Sequence, residues 1–275
     1  MKLTRAIVDY LDGLANARLA LRTPGVLIPF AAFALLQCLI LGAMASFTAP
    51  PLAPVMVPFI RALGGEESLH YPLHLVRLPA VYQRVYLPLA ATLGFPLWTL
   101  AVWLMVDHHA VGSERVRRPF RRAIPQAVQV GIVFVGASVL IGEIAARLVN
   151  ERTNPMLGRS ILLSSMLVTA IVQALVIYAP VALRLLGGNA WAALKASAAY
   201  ARRRLLATAF VIVTVVLVHA PVDFLLAHAD RIAARFQPES VLYLVLASAI
   251  LEMLTAYLMF AATTGLALPR EGGMK

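Results

Sequence analysis

Six apolar runs, each long enough to cross the roughly 30 Å hydrocarbon core of a bilayer as a helix, dominate this sequence and limit what it can fold into. A segment crossing lipid must satisfy its backbone hydrogen bonds internally, which for runs of this length means helix. The expected spans are residues 25–47, 87–106, 127–149, 161–186, 205–226 and 241–268. Of 275 residues, 61% are hydrophobic and only 13% charged, against about 25% charged in a typical soluble domain. The expected fold class is therefore all-α, a polytopic membrane helical bundle forming one integral domain over residues 1–275. No connection between spans is long enough for a separate catalytic domain.

The flanks carry their own patterns. Over residues 3–22, Leu3, Ile7, Leu11, Leu14 and Leu21 fall near one helical face and Arg5, Asp9, Asp12 and Asn16 on the opposite one, predicting an amphipathic helix on the membrane surface. Its length and its two Asp argue against a cleaved signal peptide, although Ala43-Met44-Ala45 resembles a cleavage site. Residues 48–86 contain Pro50, Pro51, Pro54, Pro58, Pro72 and Pro79, which predicts a proline-broken outer connection with short interfacial helices instead of continuous helix. Pro96 predicts a kink in the second span. Gly187-Gly188-Asn189 predicts a turn, followed by a short basic amphipathic helix over 190–204.

The net charge of +11 is distributed as topology, not as a nucleic-acid patch. Sixteen Lys and Arg flank the spans on the side of the termini and eight on the other, which predicts cytoplasmic N- and C-termini in a bacterial inner membrane. Arg117, Arg118, Arg121 and Arg122 before the third span, and Lys195, Arg202, Arg203 and Arg204 before the fifth, are candidate contacts for anionic headgroups on the cytoplasmic face. Basic segments precede the first, third and fifth spans, a three-hairpin regularity that the positive-inside rule alone also produces. A three-plus-three inverted repeat is equally compatible with the span count.

Ionisable side chains inside apolar runs are costly and therefore candidates for function. Glu143, His219, Asp223 and Glu252 are the four, with His219 and Asp223 one turn apart on either side of Pro221. They can join as a proton relay or cation site, or each can be satisfied locally, Glu143 by Arg147 and Glu252 by a Tyr, Thr or Gln of a neighbouring span. Glu66, Glu67, His70 and His74 are residue types zinc accepts, but Pro72 prevents a regular two-His helix and no cysteine supports it. Cys38, the single cysteine, excludes a disulfide within the chain. A nucleophile elbow, a Walker loop, a dinucleotide glycine pattern and a zinc-protease helix are all absent from the sequence, so no enzyme activity and no cofactor are expected.

Arg22-Thr23-Pro24-Gly25-Val26-Leu27-Ile28-Pro29 after an amphipathic helix, and Gly188-Asn189-Ala190-Trp191-Ala192-Ala193-Leu194-Lys195-Ala196-Ser197 before a span, carry a resemblance. In these motifs and in overall layout the chain resembles bacterial six-span proteins related to the membrane domain found beside glycerophosphodiester phosphodiesterases. The resemblance implies a stand-alone six-span module with amphipathic cytoplasmic helices and a connection with lipid. It identifies no site residue, and the chain holds no phosphodiesterase domain. The expected function is a non-enzymatic module organising lipid, a membrane-protein partner or a second copy of itself; the alternative is a small secondary transporter or channel-like protein using the intramembrane carboxyls.

Overall fold

The computed structural model describes residues 2–21, 23–109, 119–149 and 154–268, and the described residues are helical with no strand. The helices are α1 (Lys2–Ala20), α2 (Pro24–Ala45), α3 (Ala53–Gly64), α4 (Leu73–Leu89), α5 (Phe95–His109), α6 (Ile124–Leu148), α7 (Pro155–Val176), α8 (Ala179–Leu185), α9 (Ala190–Arg203), α10 (Leu205–Leu226), α11 (Ala229–Arg235) and α12 (Glu239–Ala267). Six helical stretches are long and apolar enough to cross a membrane: α2, Leu73–His108, α6, Met156–Leu185, α10 and α12. The chain is an all-α polytopic bundle.

The second span corrects the expected boundaries. Instead of starting near residue 87 after a broken connection at 48–86, it is a 36-residue helical stretch from Leu73 to His108. It runs through Pro79 and Pro88 and then through a widened π turn at Ala90–Gly94. A proline inside a helix removes one hydrogen bond and crowds the preceding turn, but the freed groups can be satisfied by a widened turn or a side chain. The acceptors that Pro79 and Pro88 free are the carbonyls of Leu75 and Arg84, four residues earlier. At the π turn the Thr92 hydroxyl donates to the Pro88 carbonyl at 2.7 Å. Burial of Leu75, Leu78 and Val81 seals the proline-containing half against α2 and α12. Span four likewise starts at Met156, before the expected residue 161: its helix α7 begins at Pro155, where Asn154 Oδ1 caps it by accepting from the Met156 N–H at 2.9 Å.

The N-terminal helix also differs from expectation. Besides its apolar row, α1 has a third face, Ala6, Asp9, Gly13 and Ala17, packed onto α10 and α12. A Cβ at Gly13 would lie 3.2 Å from the Ala262 carbonyl, so the helices meet nearly backbone to backbone. Tyr10 shares a 2.8 Å hydrogen bond with Thr214, and the Tyr257 hydroxyl donates to the Ala17 carbonyl. Leu3, Ile7 and Leu11 remain exposed on the outer face. The helix is thus part of the bundle as well as amphipathic.

On the same side, Gly187 and Gly188 take positive φ and reverse the chain into α9, whose Asn189 cap accepts from the Ala192 N–H at 2.8 Å. Ser197 of α9 accepts from the Tyr178 N–H at 3.1 Å, closing the break between α7 and α8. Arg184 of α8 donates from Nε and Nη2 to Asp107 Oδ1 at 2.9 and 2.5 Å and lies over the Trp103 ring. On the far side, α3, α11 and the 3-10 turn Glu66–Leu69 form a small layer over α4 and α12.

Candidate functional site

Two apolar clusters fill the bundle, and a polar belt lies where they meet. Along α2, Phe33 belongs to one cluster and Leu41 to the other, with Gln37 between them. Along α12, Ala249 and Ala256 belong to different clusters, with Glu252 between them. Glu252 is 13 residues from the start of α12 at Glu239, about 20 Å along the helix, near mid-membrane.

The belt holds three hydrogen bonds between side chains. The Tyr86 hydroxyl donates to Glu252 Oε1. Beside it, Gln37 Oε1 accepts from the Tyr82 hydroxyl at 2.9 Å. The Tyr86 hydroxyl is a neutral donor, the kind that stabilises a carboxylate without cancelling its charge. One turn on, Thr255 Oγ1 shares a 2.7 Å hydrogen bond with His219 Nε2 and also lies 2.9 Å from the Leu251 carbonyl oxygen.

Two cavities adjoin the belt and share Tyr86, His219 and Glu252 as their common wall. The far-side cavity, about 530 Å³, is lined by Gln37, Tyr82, Asp223, Ser248 and the first half of α12. The other, about 210 Å³, extends toward the N-terminal side among Phe95, Trp98, Phe134, Val215, Met259 and Phe260. In a chain of net charge +11, no Lys or Arg among the described residues lines either cavity. The ionisable acids and bases present are Glu252, Asp223 and His219.

Of the four intramembrane candidates, the structure brings together His219, Asp223 and Glu252. Glu143 stands apart, lining a shallow groove with Gly136, Leu140 and Arg147 on the exposed face of α6. The reason is packing: α6 lies chiefly against α7 and the second span, not against α10 or α12. In the 66–74 segment the carboxylates have partners of their own, Glu66 pairing with Arg61 at 2.6 Å and Glu67 with Arg77. Among the described residues no three His, Cys, Asp or Glu side chains cluster to hold a metal ion.

The basic candidates divide. Arg121 and Arg122 are exposed on a 3-10 turn, and Lys195, Arg202 and Arg203 are exposed on α9 beside Trp191. Arg204 departs from the expected headgroup contact: it is half-buried and pairs with Asp9 of α1 at 3.4 Å. Arg117 and Arg118 lie outside the described residues.

Gln37, Tyr82, Tyr86 and Thr255 were not singled out by sequence. Gln37 was visible as the one amide in the first apolar run, whereas Tyr82 and Tyr86 sat in a stretch whose prolines predict a loop. Comparison with protein-family models, with curated proteins and with solved structures gives no match to this chain.

Proposed function

We propose that this integral membrane protein is a small carrier or channel-like protein that passes a cation through the bundle by way of Glu252. The observation that carries the reading is the charge of the cavity wall: two carboxyls and an imidazole, with no Lys or Arg, near the middle of a basic protein. An unneutralised charge at the bilayer centre costs about 2.5–3.5 kcal/mol on insertion scales. Binding a proton or another cation relieves that cost, and His219 and Asp223 extend the path toward the far side. The reading is non-enzymatic and needs no cofactor.

The proposed setting is a bacterial inner membrane with both termini cytoplasmic, on the strength of the Lys and Arg bias. A second reading, a module that organises lipid, is favoured by the exposed Lys195, Arg202 and Arg203 of α9 and agrees with the resemblance to six-span modules associated with phosphodiesterases. The two are compatible, since a carrier can be anchored by anionic headgroups.

Reconstitution into liposomes separates them. Under an imposed membrane potential, the wild-type protein is expected to raise the flux of a proton, Na⁺, K⁺ or a small organic ammonium ion above that of empty liposomes, and Glu252→Gln to return it to background. Equal flux from wild type and Glu252→Gln for every one of these cations would reject the carrier reading and leave the lipid module.

A further inference from the structure

We infer that the Glu252 site takes an organic cation with an apolar body, its charge in the far-side cavity and its apolar part in the smaller one. The inference rests on the carrier reading of Glu252 and names its cargo.

The first argument is the pairing of unlike cavities across one wall. A bare inorganic cation needs a shell of oxygens, and the smaller cavity is lined by Phe95, Trp98, Phe134 and Phe260, with little oxygen to give. Its one amide, Gln173, donates from Nε2 to Met259 Sδ at 3.1 Å, and the single oxygen it retains falls well short of the roughly six that a bare cation takes. At about 210 Å³ it exceeds the dry cavity of about 150 Å³ that accommodates benzene, so one aromatic ring or a short branched alkyl group fits.

The second argument is the chemistry of the larger cavity. Tyr82 and Tyr86 line it beside Glu252 and Asp223, the combination of aromatic faces and carboxylates that recognises alkylated ammonium groups. A phospholipid is a poor fit, because its phosphate would meet two carboxyls with no Lys or Arg in the described wall to receive it. The inference requires the two cavities to join past the side chains that line both, so that one molecule touches Glu252 from the charged side while its apolar part lies beyond Tyr86 and His219.

Binding of radiolabelled benzyltrimethylammonium to the full chain in phosphatidylcholine nanodiscs tests this. Saturable binding is expected, tighter than that of tetramethylammonium, and neopentylbenzene, the neutral isostere, should displace it at least about ten-fold less effectively than the unlabelled cation. Glu252→Gln and Asp223→Asn should each weaken binding, the former by about ten-fold or more. Val215→Phe, which fills the apolar cavity, should weaken benzyltrimethylammonium by about ten-fold and leave tetramethylammonium within about two-fold. Thermal melting checks that each variant folds; should Glu252→Gln fail to, Asp223→Asn and Val215→Phe carry the test.

Absence of saturable binding, displacement by neopentylbenzene as effective as by the unlabelled cation, or indifference to Val215→Phe would overturn the inference. Ion flux that depends on Glu252 without organic-cation binding would remove the cargo and keep the carrier. Binding that depends on Glu252 without flux of the organic or inorganic ions would keep the site and remove the carrier.

Discussion

Tyr86, on the second span, donates its hydroxyl to Glu252 near the middle of the sixth, joining residues 166 positions apart in the chain. The contact ties α4 to α12 in the polar belt between the two apolar clusters. Tyr86→Phe removes this donor but keeps the ring, which packs 6.4 Å from Phe33 and 6.1 Å from Tyr82. The expected loss of stability is about 1–3 kcal/mol, because the Glu252 carboxyl is left without this donor. It is read as a lower melting temperature of the purified protein; an unchanged temperature would mean the bond contributes nothing to the fold.

Arg184 is 9% exposed at the side chain, whereas its partner Asp107 is 49% exposed, so only one side of this ion pair is removed from water. The guanidinium is also 4.9 Å from the Trp103 ring centroid, which adds a cation–π contact. Arg184→Ala is expected to cost about 1–3 kcal/mol, below a fully buried pair because Asp107 can rehydrate. Arg184→Lys should recover part of the loss, since an ammonium cannot present both donors and the planar face together. Thermal unfolding of the three proteins gives the order, and equal losses for Ala and Lys would show that the charge itself contributes little.

What could be read in advance follows a physical division. Apolar length fixes the number of spans, and special backbone needs fix the turn at Gly187-Gly188 and the Asn189 cap. Ionisable groups in apolar runs stand out, which is why His219, Asp223 and Glu252 could be named and why all three line one cavity. Glu143 had the same signature and faces elsewhere, because depth along a span says nothing about rotation toward a neighbour. Gln37, Tyr82 and Thr255 are neutral polar groups whose value depends on which helices touch, so their role emerges only with packing. Pro79 and Pro88 read as breaks because their local cost is visible, whereas the burial of Leu75, Leu78 and Val81 that offsets it is tertiary.

Gly131 and Gly136 lie on the same helix, and packing makes them differ. A Cβ at Gly131 would be 2.5 Å from the Ala91 carbonyl oxygen and 2.9 Å from Phe95 Cβ, against the π turn of the second span. At Gly136 nothing lies within 4 Å. Gly131→Ala must therefore push α6 off the second span, at a cost of about 1–3 kcal/mol. Gly136→Ala should be neutral or gain up to about 1 kcal/mol from helix propensity. Melting temperatures that fall equally for both would show that the close approach of α6 to the π turn is not made.

Arg202, Arg203 and Arg204 are consecutive in sequence, yet only the first two are exposed; Arg204 is half-buried and turned to Asp9. Near an anionic surface each exposed Lys or Arg is worth about 1 kcal/mol. Replacing Arg202 and Arg203 together with Gln should therefore weaken phosphatidylglycerol binding by up to about thirty-fold. The check is the stabilisation that added phosphatidylglycerol gives over phosphatidylcholine, measured by melting in detergent. Arg204→Gln is expected to behave differently, losing about 1 kcal/mol of stability in both lipids because it breaks the ion pair that joins α1 to the start of α10. If all three positions shift the lipid preference equally, Arg204 leaves Asp9 for the headgroups in the membrane, and the α1 contact it makes here is exchangeable.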